Sequence, residues 1–277
     1  MKTLYISDLD GTLLQPNVEL SKRTVNIINS LIHQGVNFTV ATARSIASVR
    51  TILKDVNMKL PIILMNGVCI YDLSKNEYIK VETFSKESTK QLLSIISSHK
   101  LKGFAYTMKD GIMSTYYEEL SNRALRDFYE ERVTLYKKPF QQLEDFKLLA
   151  DEPLIYFTVM DVKENLELIY PYVANTPDLN CVMYKDNYTP DIWYLEVFSK
   201  HASKYHAVKY LREYLGADTI TCFGDNRNDL PLFEACDYRI AVANAVEELK
   251  ARADEVIDSN KRDGVALWMR FNAINRE

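Results

Sequence analysis

Short apolar runs alternate with amphipathic stretches along the first third of the chain. Thr3 to Ser7 is apolar enough for a buried strand. Ser21 to Gln34 then places Val25, Ile28 and Ile32 on one helical face, with Ser21 as N-cap and Gly35 as the stop. Val36 to Ala41 predicts a second strand, Ile46 to Val56 a second helix, and Pro61 to Met65 a third strand. Strands separated by helices at this spacing form βαβ units, so a parallel sheet covered on both faces is expected. Val68 to Leu73 and Tyr78 to Glu82 predict a hairpin turning at Ser74-Lys75-Asn76.

The pattern changes near residue 82. Lys86 to His99 has helical spacing, and Phe104 to Met108, Pro153 to Met160, Asn180 to Lys185 and Ile192 to Phe198 predict strands, with a helix over Glu164 to Tyr172. Tyr116 to Tyr136 is polar and tyrosine-bearing, without a clear period. This middle section predicts an α+β module with an antiparallel sheet. From Ser203 the first pattern returns. Helices are expected over Ser203 to Leu215, Asp229 to Ala235 and Ala245 to Ala253, and strands over Thr219 to Phe223, Tyr238 to Ala243 and Glu255 to Ile257. The expected organisation is an α/β core built from residues 1–82 and 198–277, interrupted by an inserted α+β domain over 83–197.

Composition narrows the function classes. The 277 residues suit one large or two medium domains, and a hydrophobic fraction of 47% is enough for a core. A net charge of -4 argues against a nucleic-acid binder, which would carry a basic excess. The cysteines Cys69, Cys181, Cys222 and Cys236 have no metal-type spacing and read as thiols of a reducing compartment. The chain opens into a strand-like run without an apolar signal core, and no apolar stretch approaches the length of a membrane span. A cytoplasmic protein without membrane contact is expected.

Two acidic clusters stand at strand ends. Asp8-Leu9-Asp10-Gly11-Thr12 follows the first strand directly. Side chains two apart in extended backbone share a side, so the carboxylates of Asp8 and Asp10 are expected together, and Gly11 permits a sharp turn. Paired carboxylates at the carboxyl end of a parallel strand repel unless a cation lies between them. Gly224-Asp225-Asn226-Arg227-Asn228-Asp229 repeats the arrangement after a second strand. Hard oxygen ligands of this kind suit Mg²⁺ rather than Zn²⁺.

The combination resembles the haloacid dehalogenase (HAD) superfamily, and within it the Cof-type phosphatases with a large α/β cap, class IIB. The opening DLDGTLL is similar to the first motif of that superfamily and GDNRND to its fourth. Ala41-Thr42-Ala43-Arg44 resembles the second motif, and Lys204 in Ser199-Lys200-His201-Ala202-Ser203-Lys204 the third. Asn66-Gly67 and Asp263-Gly264-Val265-Ala266 also fit. Ala43 and Tyr205 depart from the pattern, where glycine is common.

The resemblance implies a Rossmann-like parallel core with an inserted cap, and a Mg²⁺-dependent phosphatase acting on a small phosphorylated metabolite. Asp8 would be the nucleophile and Asp10 the general acid and base. The implied metal set is Asp8, Asp10 through its main-chain carbonyl, Asp225 and Asp229. The implied phosphate-binding set is Leu9, Thr42, Ala43, Lys204 and Asn228, with Arg44 and Asn66 as candidate substrate contacts. Lys200 competes with Lys204 for its role, and Thr42 competes with itself as a helix cap near Ser45. The long interval from Thr42 to Lys204 accommodates the cap, to which substrate choice is assigned. Tyrosines such as Tyr116, Tyr117, Tyr184 and Tyr188 belong to it. A phosphomutase or phosphotransferase of the same fold, or a non-catalytic phosphate-binding sensor, stands as the alternative. A monomer or homodimer is expected.

Overall fold

The computed structural model describes residues 2–185 and 191–273; Tyr188 lies outside the described residues. The chain divides into two compact units, residues 1–80 with 202–277, and residues 81–201.

In the first unit the chain runs through β1 (Thr3–Ser7), α1 (Lys22–His33), β2 (Asn37–Val40), α2 (Ile46–Ile52), β3 (Ile62–Leu64), β4 (Cys69–Asp72) and β5 (Glu77–Val81). Ser21 caps α1 by accepting from the Thr24 N–H at 3.0 Å, as its spacing predicts. In the second unit it forms α3 (Lys86–Ser98), β6 (Gly103–Lys109), β7 (Ile112–Tyr117), α4 (Arg123–Tyr136), β8 (Gln141–Gln142), β9 (Leu154–Val162), α5 (Lys163–Ala174), β10 (Leu179–Lys185) and β11 (Ile192–Ser199). It returns to the first unit with α6 (Lys204–Leu215), β12 (Thr219–Gly224), α7 (Leu230–Ala235), β13 (Tyr238–Val242), α8 (Glu247–Lys250), β14 (Glu255–Ile257) and α9 (Gly264–Asn272).

Among the described residues, the first unit is built on a parallel sheet in the order β14-β13-β12-β1-β2. β1 is central, and Leu4, Tyr5 and Ile6 are buried, which is why its sequence is an unbroken apolar run. A parallel bridge from Ala41 to Ile63 carries the sheet toward the smaller set β3-β4-β5. β1 connects to β2 on one side, whereas β12, β13 and β14 lie on the other. The strand order therefore reverses between β1 and β12, where open α/β sheets leave a crevice at the carboxyl ends. Ser7 pairs with Phe223 there, and the Asp8 N–H donates to the Phe223 carbonyl at 3.0 Å. The two acidic motifs leave the sheet side by side.

The second unit is a sheet in the order β10-β11-β9-β6-β7-β8. The expectation of a wholly antiparallel sheet is corrected to a mixed one, because the two-residue β8 pairs parallel with β7. Phe104 and Phe157 stand on opposite faces; Phe104 stacks on Phe128 of α4 at 4.7 Å, and Phe157 meets Phe146 at 4.9 Å. No helix among the described residues is long and apolar enough to cross a membrane.

Candidate active site

β1 delivers Asp8 into the crevice with extended backbone and a buried side chain. The chain then coils through Leu9–Leu13, and Gly11 takes φ +77°. A Cβ at Gly11 would lie 2.3 Å from Asp225 Oδ2, so glycine both permits the turn and admits the second motif. Beyond β12, Asp229 is fully buried, and its Oδ2 accepts from the N–H groups of Asp225 at 3.0 Å and Asn226 at 3.2 Å. Asn226 and Asp229 form a reciprocal capping box, which fixes the rotamer of Asp229. Asp225 Oδ1 accepts from the Thr12 hydroxyl at 2.8 Å.

Carboxylate oxygens of Asp8, Asp225 and Asp229 all lie within 4.8 Å of one another. Lys204 enters this group from the first turn of α6, whose N-cap is Ser203. Its side chain is 1% exposed, and Nζ donates to Asp8 Oδ1 at 2.6 Å and to Asp229 Oδ1 at 2.7 Å. The rival Lys200 lies in the other unit and pairs with Asp178 at 2.7 Å.

The electrostatics follow from one cation among two buried acids, Asp8 and Asp229, and the half-buried Asp225. Burial raises Asp8 well above the ordinary carboxylate range, and the charge of Asp229 adds to this against the pull of Lys204. Asp225 is pushed up to about 7, first by burial and then by Asp229. Burial alone would lower Lys204, but Asp229 and Asp8 outweigh it and hold the ammonium above its ordinary value. The nest is short of positive charge, and its free ligands are hard oxygens. Both properties fit Mg²⁺.

Asp10 is not in this nest. Its side chain is 46% exposed, and its carboxylate sits in the fork of Arg44, with Nε to Oδ2 and NH2 to Oδ1 both at 2.7 Å. The expectation that the Asp8 and Asp10 carboxylates lie together is therefore corrected: Asp8 joins Asp225 and Asp229, and Asp10 faces Arg44. The sharing of one side by residues two apart is a property of regular strand, and the coil that starts at Leu9 ends it.

A profile of the haloacid dehalogenase-like hydrolases matches residues 5–269. The chain belongs to that family. Phosphatase YwpJ of Bacillus subtilis is 28% identical over 295 residues, spanning 98% of this chain and 99% of the relative. The 5-amino-6-(5-phospho-D-ribitylamino)uracil phosphatase YwtE of the same species is 26% identical over 287 residues, spanning 97% of each. An X-ray structure of a Thermotoga maritima protein superposes with a TM-score of 0.80 at 25% identity, covering 98% of this chain and 97% of that one.

The remaining residues of this HAD-like hydrolase divide by position. Thr42 is fully buried, and its hydroxyl accepts from the Arg44 N–H at 3.1 Å. Ala43 and Asn228 are exposed on their turns. The Leu9 side chain packs into the core and offers a ligand nothing beyond its main chain. Asn66 follows β3, and its N–H donates to the Thr42 carbonyl at 3.0 Å. A brace around the first motif carried no mark in the sequence. Asn244 Nδ2 donates to the Gly11 carbonyl at 2.8 Å, Asn244 Oδ1 accepts from the Asn260 N–H at 3.0 Å, and Asn260 Nδ2 donates to the Leu14 carbonyl at 2.8 Å. Thr12, which ties to Asp225, lies inside the first motif itself.

Proposed function

We propose that this hydrolase cleaves small phosphomonoesters, sugar phosphates or similar metabolites, through a phosphoryl intermediate on Asp8 with Mg²⁺ bound in the acid nest. The observation that carries the reading is the 2.6 Å contact from the buried Lys204 ammonium to Asp8 Oδ1. It orients the carboxylate and supplies positive charge where an anionic phosphate has to approach. The relatives named as phosphatases support the same reaction class.

Asp8, the main-chain carbonyl of Asp10, Asp225 and Asp229 would hold the ion, which would neutralise charge on the phosphate. A carboxylate oxygen of Asp8 attacks phosphorus, and the bond from phosphorus to the ester oxygen breaks. Asp10 gives a proton to the leaving oxygen, then takes one from the water that releases inorganic phosphate from Asp8. To do so it has to leave the Arg44 fork, which frees the guanidinium for the substrate. Thr42 and Asn228 donate to phosphoryl oxygens, beside Leu9 and Ala43, and Lys204 balances charge on Asp8. Substrate choice is assigned to residues 83–197.

A panel of phosphorylated metabolites, assayed for phosphate release with Mg²⁺, tests this reading. Stoichiometric release by the wild type and none by Asp8→Asn is expected. Retained turnover in Asp8→Asn would refute the intermediate, and transfer to an acceptor without free phosphate would favour a phosphotransferase.

A further inference from the structure

We infer that Asn244 is a positioning residue for Asp10: its carboxamide pins the turn that carries Asp10 against the second acidic motif, so that the two motifs can share one ion. The inference rests on the phosphatase reading above and adds a residue to it.

Asp10, with φ and ψ of -74° and 123°, and Gly11, with 77° and -11°, have the dihedrals of a type II turn. The turn stands past the end of β1, where the parallel ladder no longer fixes it. Its central peptide links Asp10 to Gly11. A shift of the turn therefore moves both the carboxylate and the carbonyl of Asp10, the two groups that the proposed reaction uses. Side chains from other segments hold it in place. The Arg44 fork grips Asp10, but that grip has to open before Asp10 can act. The Thr12 hydroxyl bond ends on Asp225, which is itself assigned to the ion. The bond from Asn244 has neither duty.

Asn244 lies between β13 and α8 and is exposed, so it fills no core. Its Nδ2 donates to the Gly11 carbonyl at 2.8 Å, and its Oδ1 accepts from the Asn260 N–H at 3.0 Å. An amide nitrogen donates and an amide oxygen accepts, so these two partners settle which way the carboxamide faces. Two residues on, the Val246 N–H donates to the Asp225 carbonyl at 2.9 Å. One short turn thus grips both acidic motifs, the first through a side chain and the second through main chain. It grips the first at the residue where the motifs are tightest, since a Cβ on Gly11 would lie 2.3 Å from Asp225 Oδ2. Asn29 makes a matched clasp outside either motif. Its Nδ2 donates to the Asp55 carbonyl at 2.9 Å, and its Oδ1 accepts from the Asn57 N–H at 2.8 Å.

Asn244→Ala and Asn29→Ala each remove one such two-ended clasp. The readouts are Mg²⁺ affinity by calorimetry, the thermal midpoint in chelator, and kcat and KM for p-nitrophenyl phosphate. Both variants lower the midpoint in chelator. Asn244→Ala alone also weakens Mg²⁺ binding by about tenfold and lowers kcat by a similar factor, with KM within about twofold of the wild type. Asn244→Asp keeps the acceptor for Asn260 but has no proton for the Gly11 carbonyl, and its kcat falls as far. Unchanged Mg²⁺ affinity in Asn244→Ala overturns the inference, because the clasp then serves stability alone. An equal loss of affinity in Asn29→Ala, or a wild-type kcat in Asn244→Asp, also overturns it. Wild-type protein that binds Mg²⁺ but hydrolyses no ester defeats the phosphatase reading and leaves the two affinities to decide the inference. Wild-type protein that binds no Mg²⁺ defeats both.

Discussion

Lys204 and Asp8 meet through a 2.6 Å hydrogen bond in a space closed to solvent, although they are drawn from opposite sides of a long insertion. Deleting one partner of such a pair leaves the other charge buried without compensation, which costs about 3–5 kcal/mol. Lys204→Met therefore lowers the thermal midpoint, removes most turnover, and regains part of its stability on addition of Mg²⁺. Unfolding scans with and without the ion check this. A variant as stable as the wild type in chelator contradicts it.

The raised Asp225 gives the metal response a pH sign. In the metal-free fold Asp225 keeps its proton up to about 7, against an ordinary 3.8, so its contribution to stability is full below that ordinary value and is lost as pH rises through 7. A bound cation needs the ionised form, so Mg²⁺ stabilises more strongly above pH 7 than below it. At a hundredfold excess over its Kd the ion adds about 2.7 kcal/mol. Thermal shifts measured across the neutral range, with reversal by chelator, are the check. A Mg²⁺ shift that grows as the pH falls would contradict the assignment.

Gly11→Ala strains the backbone at φ +77° and drives a methyl group toward Asp225 Oδ2. Left-handed strain alone costs about 1–3 kcal/mol. Gly35→Ala is the control, since it has φ +92° and no atom within 4 Å of the added carbon. Both variants lose stability, but only Gly11→Ala also loses Mg²⁺ affinity. Equal Mg²⁺ affinities in calorimetric titrations would show that Gly11 serves the turn and not the ion.

Lys138 supplies a separate pH signal within the second unit. It is buried in the second unit with Nζ 4.2 Å from the Tyr106 ring centroid and 5.1 Å from that of Phe140. Burial, with the charge of Arg132, lowers it to about 7 from 10.5. A lysine that binds its proton less tightly when folded penalises the fold fully below 7, and the penalty fades as pH rises toward 10.5. Lys138→Met should exceed the wild type in stability by a few kcal/mol, on the order of 1.4 per unit shifted, at pH 6, and the gap should close by pH 10. Denaturant melts of both proteins at the two pH values decide it; a constant gap would refute the shift.

The parts of this protein legible in the sequence are those whose cause is local. β1 reads as an apolar run because both its faces are covered, and α1 reads from Ser21 and the spacing of its apolar face. The acids of the nest read because each motif directly follows a strand, and the family and enzyme class follow from those motifs. Lys204 rather than Lys200 is also legible, because Ser203 caps α6 and puts Lys204 in its first turn. Other features have long-range causes. The turn of Asp10 toward Arg44 depends on a coil that no two-residue periodicity describes. α4 is not legible because only Ala124, Leu125 and Phe128 of its residues are buried, too few to draw an apolar stripe through a polar stretch. Its one clear local mark was Asn122, which accepts from the Leu125 N–H at 2.9 Å.

The sheet order carries a consequence for the chain as it is made. β1 is synthesised before the insertion, yet its partner β12 begins only at Thr219, beyond the whole of it. A nascent chain stopped before that point holds β1 with one flank bare, the kind of edge that recruits other strands. It also owns a single member of the carboxylate trio, and so has nothing with which to grip a cation. Ribosome-bound fragments ending ahead of Thr219 should thus be the form of this polypeptide most prone to clump, whatever the concentration of magnesium around them.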